Sequence, residues 1–347
     1  MPTGELIVCH FGLLPNLSPN MESRAPYYNP FRLSLFPRSD SKDGMKQAKV
    51  LRVYLGDPLL AAARAGKQNF CNRIVRAFAG IGYRVEFRPN TAEERESSGD
   101  RRGYSLYQVD MPGHENALTF RKAYIAPFWQ IDQTVERWEW HVARSEFDPA
   151  NVDPETAQDF VERTRERVFP DLPAPTTDGY IYIPLQGALT TRRIFQTLSP
   201  VEMIEATLAY DPRPIVVTLH PNEDYSAEEL STITGLAKKH SRLTLDTGGM
   251  EKYLPGCDMV VCENSAVAFN GYFLKKKAVL FSQIDFHHIA SNVPQLGVAE
   301  AFRHAAEAEP AFDAFLFWYL QKMSINAGRK DAEERILAAV QRCGWKV

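Results

Sequence analysis

Cysteine is scarce in this chain. The 347 residues contain five (Cys9, Cys71, Cys257, Cys262 and Cys343), an odd set with no CxxC pair. That excludes a disulfide framework and a cysteine-built zinc site, and it predicts reduced, buried thiols in a cytoplasmic protein. Long hydrophobic runs are missing too. The stretch from Leu6 to Leu14, which includes Cys9 and His10, follows Glu5 rather than a basic segment. It is too short to cross a bilayer and lacks the charged beginning of a secretory signal. Charge of one sign is not in excess: 40 basic against 43 acidic side chains give a net charge of −3. The halves 1–175 and 176–347 carry 23 and 17 basic against 23 and 20 acidic groups. Neither has the electrostatic footprint of a nucleic-acid binder, so no nucleic-acid partner is expected. The words GxSxG, GxxxxGKS and GxGxxG do not occur. Their absence removes the simplest hydrolase, P-loop and dinucleotide-dehydrogenase readings.

What is present is the composition of a globular protein, 44% hydrophobic and 24% charged, at a length suited to two domains. Residues 1–50 read as an irregular arm rich in Pro, Asn, Ser and Tyr. A first α/β domain is expected over 51–175, with strands at Leu51–Leu55 and Tyr83–Phe87. Between them a helix over Asn69–Ala79 puts Phe70, Ile74 and Phe78 on one face. An aromatic segment, Leu118–Ala143, and a helix near 154–168 follow, and the stretch Pro170–Pro175 marks the boundary. Strands then alternate with helices over 176–305. Ser199-Pro200-Val201-Glu202 and Ser226-Ala227-Glu228-Glu229 are capping boxes that open two of those helices. This rhythm predicts a parallel, doubly wound sheet. Residues 306–347 are expected to be terminal helices.

Ligands of an open α/β sheet bind beyond the carboxyl ends of its strands, and the second domain concentrates its unusual polar residues there. In order, strand ends lead to Gln186-Gly187, His220-Pro221, Gly248-Gly249, Glu263-Asn264-Ser265, and Asp285 with His287 and His288. His220 suits a phosphate contact, because its ring donates a hydrogen bond and an anion favours the imidazolium. Asn264 and Ser265 stand at a helix start, where free amides favour an anion and where both residues also serve as plain caps. Gly248 and Gly249 permit close backbone approach. Arg192 and Arg193 are candidate partners for a ligand carboxylate or phosphate. Asp285, His287 and His288, with His220, invite a metal reading, but adjacent histidines in a strand point to opposite faces, so no metal site is expected. Trp129 or Trp138 would stack on a sugar if exposed, and Arg121 and Lys122 lie beside them.

Four words in the second domain carry a resemblance: Ile183-Pro184-Leu185-Gln186, Thr218-Leu219-His220-Pro221, Glu263-Asn264-Ser265-Ala266-Val267-Ala268-Phe269, and Lys277-Ala278-Val279-Leu280-Phe281. In order and spacing, the segment from Tyr180 to Ala290 resembles the capsule-polysaccharide biosynthesis family of retaining, CMP-Kdo-dependent transferases. The resemblance implies a GT-B fold: two Rossmann-like domains, the second holding the nucleotide sugar and the first the acceptor, with the terminal helices packing back across the cleft. It implies a CMP-sugar as donor substrate and no cofactor or metal ion. The acceptor would be a glycan or glycolipid, which would bring the protein to the inner face of the membrane. His220, with Pro221 beside it, and Ser265 would meet the CMP phosphate, Asn264 would place the serine, and Gln186 would line the donor pocket.

The chain departs from the family pattern at two places. The family usually has an acidic residue shortly after the strand-one glutamine, but Gly187-Ala188-Leu189-Thr190-Thr191-Arg192-Arg193 after Gln186 contain none, and Asn270 stands where a glutamate is usual. Retaining transfer is commonly written with a carboxylate nucleophile. Asp57, Asp285 and Glu263 are the substitutes the sequence offers. Two other readings stay open at this point: an inactive nucleotide-sugar-binding or scaffolding protein of the same fold, and a metal-assisted phosphoesterase using His220, Asp285 and His287.

Overall fold

The computed structural model describes residues 48–347. The Leu6–Leu14 run, Cys9, His10 and nearly all of the expected arm lie outside the described residues. Two six-stranded sheets organise the rest. The first contains β1 (Val50–Leu55), β2 (Arg84–Pro89), β3 (Tyr104–Gln108), β4 (Ala117–Lys122) and β5 (Phe128–Asp132). The second contains β6 (Ile181–Pro184), β7 (Ile215–Leu219), β8 (Leu243–Thr247), β9 (Met259–Cys262), β10 (Lys277–Leu280) and β11 (Ser291–Asn292). A last strand, β12 (Ile325–Asn326), returns to the first sheet.

The second sheet is wholly parallel, in the order β11-β10-β9-β6-β7-β8. Counted from β6 this is the dinucleotide-fold order 3-2-1-4-5-6, with its switch point between β6 and β9. In the first sheet β2, β1, β3 and β4 are parallel, while β5 and β12 join as antiparallel strands. Its switch point lies between β1 and β3, where the Gln108 side chain accepts a hydrogen bond from the Gly56 amide at 2.9 Å.

Local sequence explains the elements that were expected. The helix Asn69–Gly80 buries Phe70, Ile74 and Phe78, and the Gln68 side chain caps its amino end by accepting from the Cys71 amide. Both capping boxes form with reciprocal bonds: Ser199 with Glu202, and Ser226 with Glu229. Gly56-Asp57-Pro58, which reads as a strand-ending turn, instead starts the helix Asp57–Arg64, with Pro in its first turn. The aromatic segment resolves into β4, β5 and the turns after them. Trp129 is 9% exposed and stacks on Phe70 at 4.6 Å, so the condition for a sugar platform fails at that residue.

Apolar packing forms three main clusters. One lies under the first sheet and one on a face of the second. The third joins the lobes: Ile125, Phe128 and Trp140 from the first meet Val260, Phe269 and Phe286 from the second and Phe315 and Tyr319 from the terminal segment. The chain crosses between sheets twice, over 169–180 and over 293–324. After the second crossing β12 pairs with β5 and the helix Ala332–Arg342 packs on the first lobe. There Glu333 accepts from Arg73 and Arg76, and Trp345 stacks on Tyr104 at 4.3 Å. The architecture is therefore α/β and GT-B-like, with two Rossmann-like sheets and a terminal segment that returns across the junction. Among the described residues no helix is long and apolar enough to cross a membrane.

Candidate functional site

The carboxyl ends of β6 to β10 form one rim. At the end of β7, His220 is exposed, and its ring Nδ1 accepts from the Asn222 amide at 3.2 Å. That bond assigns the neutral tautomer with the proton on Nε2, leaving an outward N–H donor. A Cβ at Gly248, at the neighbouring β8 end, would meet the Pro221 ring at van der Waals distance. Gly248 and Gly249 have φ of 66° and 80°. Side chains rarely adopt that left-handed backbone, so the glycine pair is required by the turn itself.

At the switch point, Gln186 is half-buried after β6 and Gly187 is buried. The Arg193 guanidinium donates to the Gly187 carbonyl at 3.0 Å, while Arg192 is exposed and donates to the Thr197 carbonyl. A Cβ at Gly187 would collide with the Glu223 carboxylate. Glu223 is an exposed acid from the turn after His220. Sequence reasoning missed it because 36 positions separate it from Gly187. Its only local signal was its place three residues beyond His220.

Glu263 follows β9 and is 4% exposed. Its Oε2 accepts the Ser282 hydroxyl at 2.7 Å, and its Oε1 has no hydrogen-bond partner among the described residues. Residues 195–197 pair with the segment that carries Ser282: the Thr197 amide donates to the Phe281 carbonyl, and Gln196 forms an antiparallel backbone bridge with Ser282. Burial pushes the Glu263 carboxyl up to about 7, with Glu202 adding repulsion, while the Ser282 bond and Arg193 pull the other way. A carboxyl poised there exchanges a proton at neutral pH. Ser265 caps the short helix Ala266–Tyr272 through the Val267 amide, with Asn264 half-buried beside it. Asn270 is buried, and its amide faces the Met250 sulfur.

Asp285 is fully buried at the junction of the lobes. Tyr124, just past β4, and Tyr319, from the π-helical turn Trp318–Met323, each donate a hydroxyl to one of its oxygens. Arg137 lies 3.9 Å away and donates to the Tyr124 hydroxyl at 2.7 Å. Tyr124 also stacks on Phe269 at 4.3 Å. The carboxyl end of β4 thus meets the carboxyl end of β10. Nearby, the half-buried Trp138 faces Phe195 across the same junction, ring centres 5.9 Å apart. Asp57 sits apart from this node, exposed at the first sheet's switch point.

His287 and His288 are not in a strand, as the sequence suggested. They occupy a 3-10 turn and stack at 4.4 Å. His287 bonds the Ile284 carbonyl and His288 the Ser145 carbonyl, and burial together with His287 pushes His288 down to about 4. Among the described residues no three His, Cys, Asp or Glu side chains converge to hold a metal ion.

No family model and no curated protein matches the chain. Among solved structures it is similar to the Thermosulfurimonas dismutans KpsC beta Kdo 2,7 transferase. That likeness has 14% identity and a TM-score of 0.45, and covers 74% of this chain and 89% of that one. The beta Kdo 2,4 transferase of the same KpsC matches at 13% identity and a TM-score of 0.41, covering 76% and 88%. A UDP-GlcNAc 2-epimerase from Neisseria meningitidis, bound to UDP-GlcNAc, matches at 11% identity and a TM-score of 0.30, covering 84% and 99%.

Proposed function

We propose that this protein is a glycosyltransferase that moves a Kdo-like acidic sugar from a CMP-activated donor to a glycan or glycolipid acceptor in surface-polysaccharide synthesis. The observation that carries the reading is the rim of the second sheet. There Gln186 stands at the switch point, with an outward His220 Nε2–H one strand away at the β7 end and the left-handed Gly248-Gly249 turn at the β8 end, and a parallel sheet of this order takes a nucleotide beyond those strand ends. His220 would donate to the CMP phosphate and stabilise the charge that grows on it as the bond from the anomeric carbon to the phosphate oxygen breaks. The acceptor hydroxyl oxygen forms the new bond to that carbon and gives its proton to a carboxylate.

In this reading the acid missing after Gln186 is supplied in space by Glu223, whose carboxylate lies over Gly187. Glu263, with a carboxyl titrating at about 7, is the proton-exchanging candidate. Asp285, both of whose oxygens are taken by tyrosine hydroxyls, is a positioning residue. Calorimetric titration with CMP tests the proposal. His220→Ala should weaken binding by about tenfold, the worth of one hydrogen bond to a charged group. Unchanged affinity would remove His220 from the site. CMP binding without turnover of CMP-Kdo on any acceptor would favour the inactive binding protein instead.

A further inference from the structure

Two guanidinium groups at the lobe junction are short of acceptors. Arg121 lies on β4 opposite Gln130 of β5, is half-buried, and makes no hydrogen bond or ion pair among the described residues. Arg137 spends one of its N–H groups on the Tyr124 hydroxyl and stands 3.9 Å from Asp285. An arginine carries five N–H donors, so nearly all of this donor capacity is free of protein acceptors among the described residues. Asp285 is the one carboxylate among the charges acting most strongly on the pair, and both of its oxygens already accept tyrosine hydroxyls. Two cations therefore face one occupied anion. Arg121 feels the imbalance: burial lowers its proton affinity, and the Arg137 charge lowers it further.

Neither arginine has a nitrogen that is both buried and without a partner among the described residues, so their free N–H groups face solvent and are open to a ligand; the partner that suits a guanidinium best is a planar oxyanion, which accepts two parallel N–H bonds. We propose that Arg121 and Arg137 form a receptor for the carboxylate of an acidic sugar, seated where the ends of β4 and β10 meet. Trp138, next in the chain to Arg137, and Phe195 across from it give the sugar ring an apolar wall. The receptor itself follows from the arginine pair, while the choice of an acidic sugar rests on the transferase reading above.

The test is ligand-observed NMR and calorimetry on the full chain with sodium Kdo, Kdo methyl ester, CMP and CMP-Kdo, comparing the unaltered protein with Arg121→Gln and Arg121→Lys. Arg121→Gln should weaken Kdo binding by about tenfold or more, because a charge-assisted pair is lost. Arg121→Lys should fall between, since a point charge cannot bond bidentately. CMP affinity should stay unchanged in both, and the methyl ester should bind weakly to all three proteins. The melting temperature of Arg121→Gln should not fall, because no internal bond is broken. CMP-Kdo binding lost in step with Kdo places the receptor on the donor sugar; Kdo loss with CMP-Kdo unaffected places it on the acceptor. Kdo binding that depends on Arg121 in a protein that ignores CMP would uphold the receptor while sinking the transferase reading. Equal Kdo affinity in Arg121→Gln, or a lower melting temperature with binding intact, would overturn the receptor.

Discussion

Replacing Glu263 with glutamine gives a stability profile that can be worked out in advance. The folded protein lifts this carboxyl from an ordinary 4.5 to about 7, chiefly by burial. Between those values the folded state holds a proton that the unfolded state releases. Stability contributed by this group is therefore fully present below pH 4.5, falls as pH rises to 7, and is flat beyond. At about 1.4 kcal/mol per pH unit the loss amounts to about 3 kcal/mol. Glutamine cannot ionise and retains an oxygen for the Ser282 hydroxyl. Every other titrating group is shared by the two proteins, so the difference between their unfolding free energies isolates Glu263. In urea titrations from about pH 4 to about pH 8, Glu263→Gln should gain about 3 kcal/mol on the unaltered chain, with the whole change between pH 4.5 and 7. Parallel profiles would mean that the carboxylate ionises without penalty, and the acid–base role proposed for it would fall with that result.

Among the described residues Asp285 is the carboxylate acting most strongly on the half-buried arginine pair, and removing its charge by Asp285→Asn should cost about 3–5 kcal/mol in chemical denaturation, the range for breaking a pair with a buried member; a loss below about 1 kcal/mol would show that the node does not hold the lobes together. Ser226→Ala breaks a reciprocal cap and should cost about 1 kcal/mol. An unchanged melting curve would mean that water serves the freed amide equally well. Cys71, Cys257, Cys262 and Cys343 are buried, and burial pushes each thiol up to about 12. In a Cys9→Ser chain none of them should react with a thiol reagent until denaturant is added; labelling under native conditions would contradict the packing described.

Much was legible from local pattern. The Phe70–Ile74–Phe78 face, both capping boxes and five strands of the second sheet were expected and are present, because each is set by neighbours a few residues away. So was the placement of the polar residues at strand ends, since alternation of strands and helices puts those ends on one rim. What sequence missed was non-local. The two-residue strands β11 and β12 have no periodicity to read, and they exist because a sheet edge offers unpaired backbone groups. β4 and β5 were lost within the aromatic segment Leu118–Ala143, whose facing depends on the partner strand, and β3, ahead of that segment, was not read as a strand. His287 and His288 read as alternating strand residues, but they follow the buried Phe286 in a 3-10 turn.

By itself the sequence determined that the second half is a parallel α/β sheet with a polar rim, and it named His220, Gln186, the glycine pair and Glu263 as rim residues. Those assignments need only helix and strand periods and the rule that parallel strands end on one side. Tertiary structure alone decided what each rim residue can do. It buried Glu263 and raised its proton affinity, laid Glu223 over Gly187, and committed Asp285 to two tyrosines 161 and 34 positions away. Proton affinity and hydrogen-bond supply depend on surroundings within a few ångströms, and here those surroundings come from distant parts of the chain.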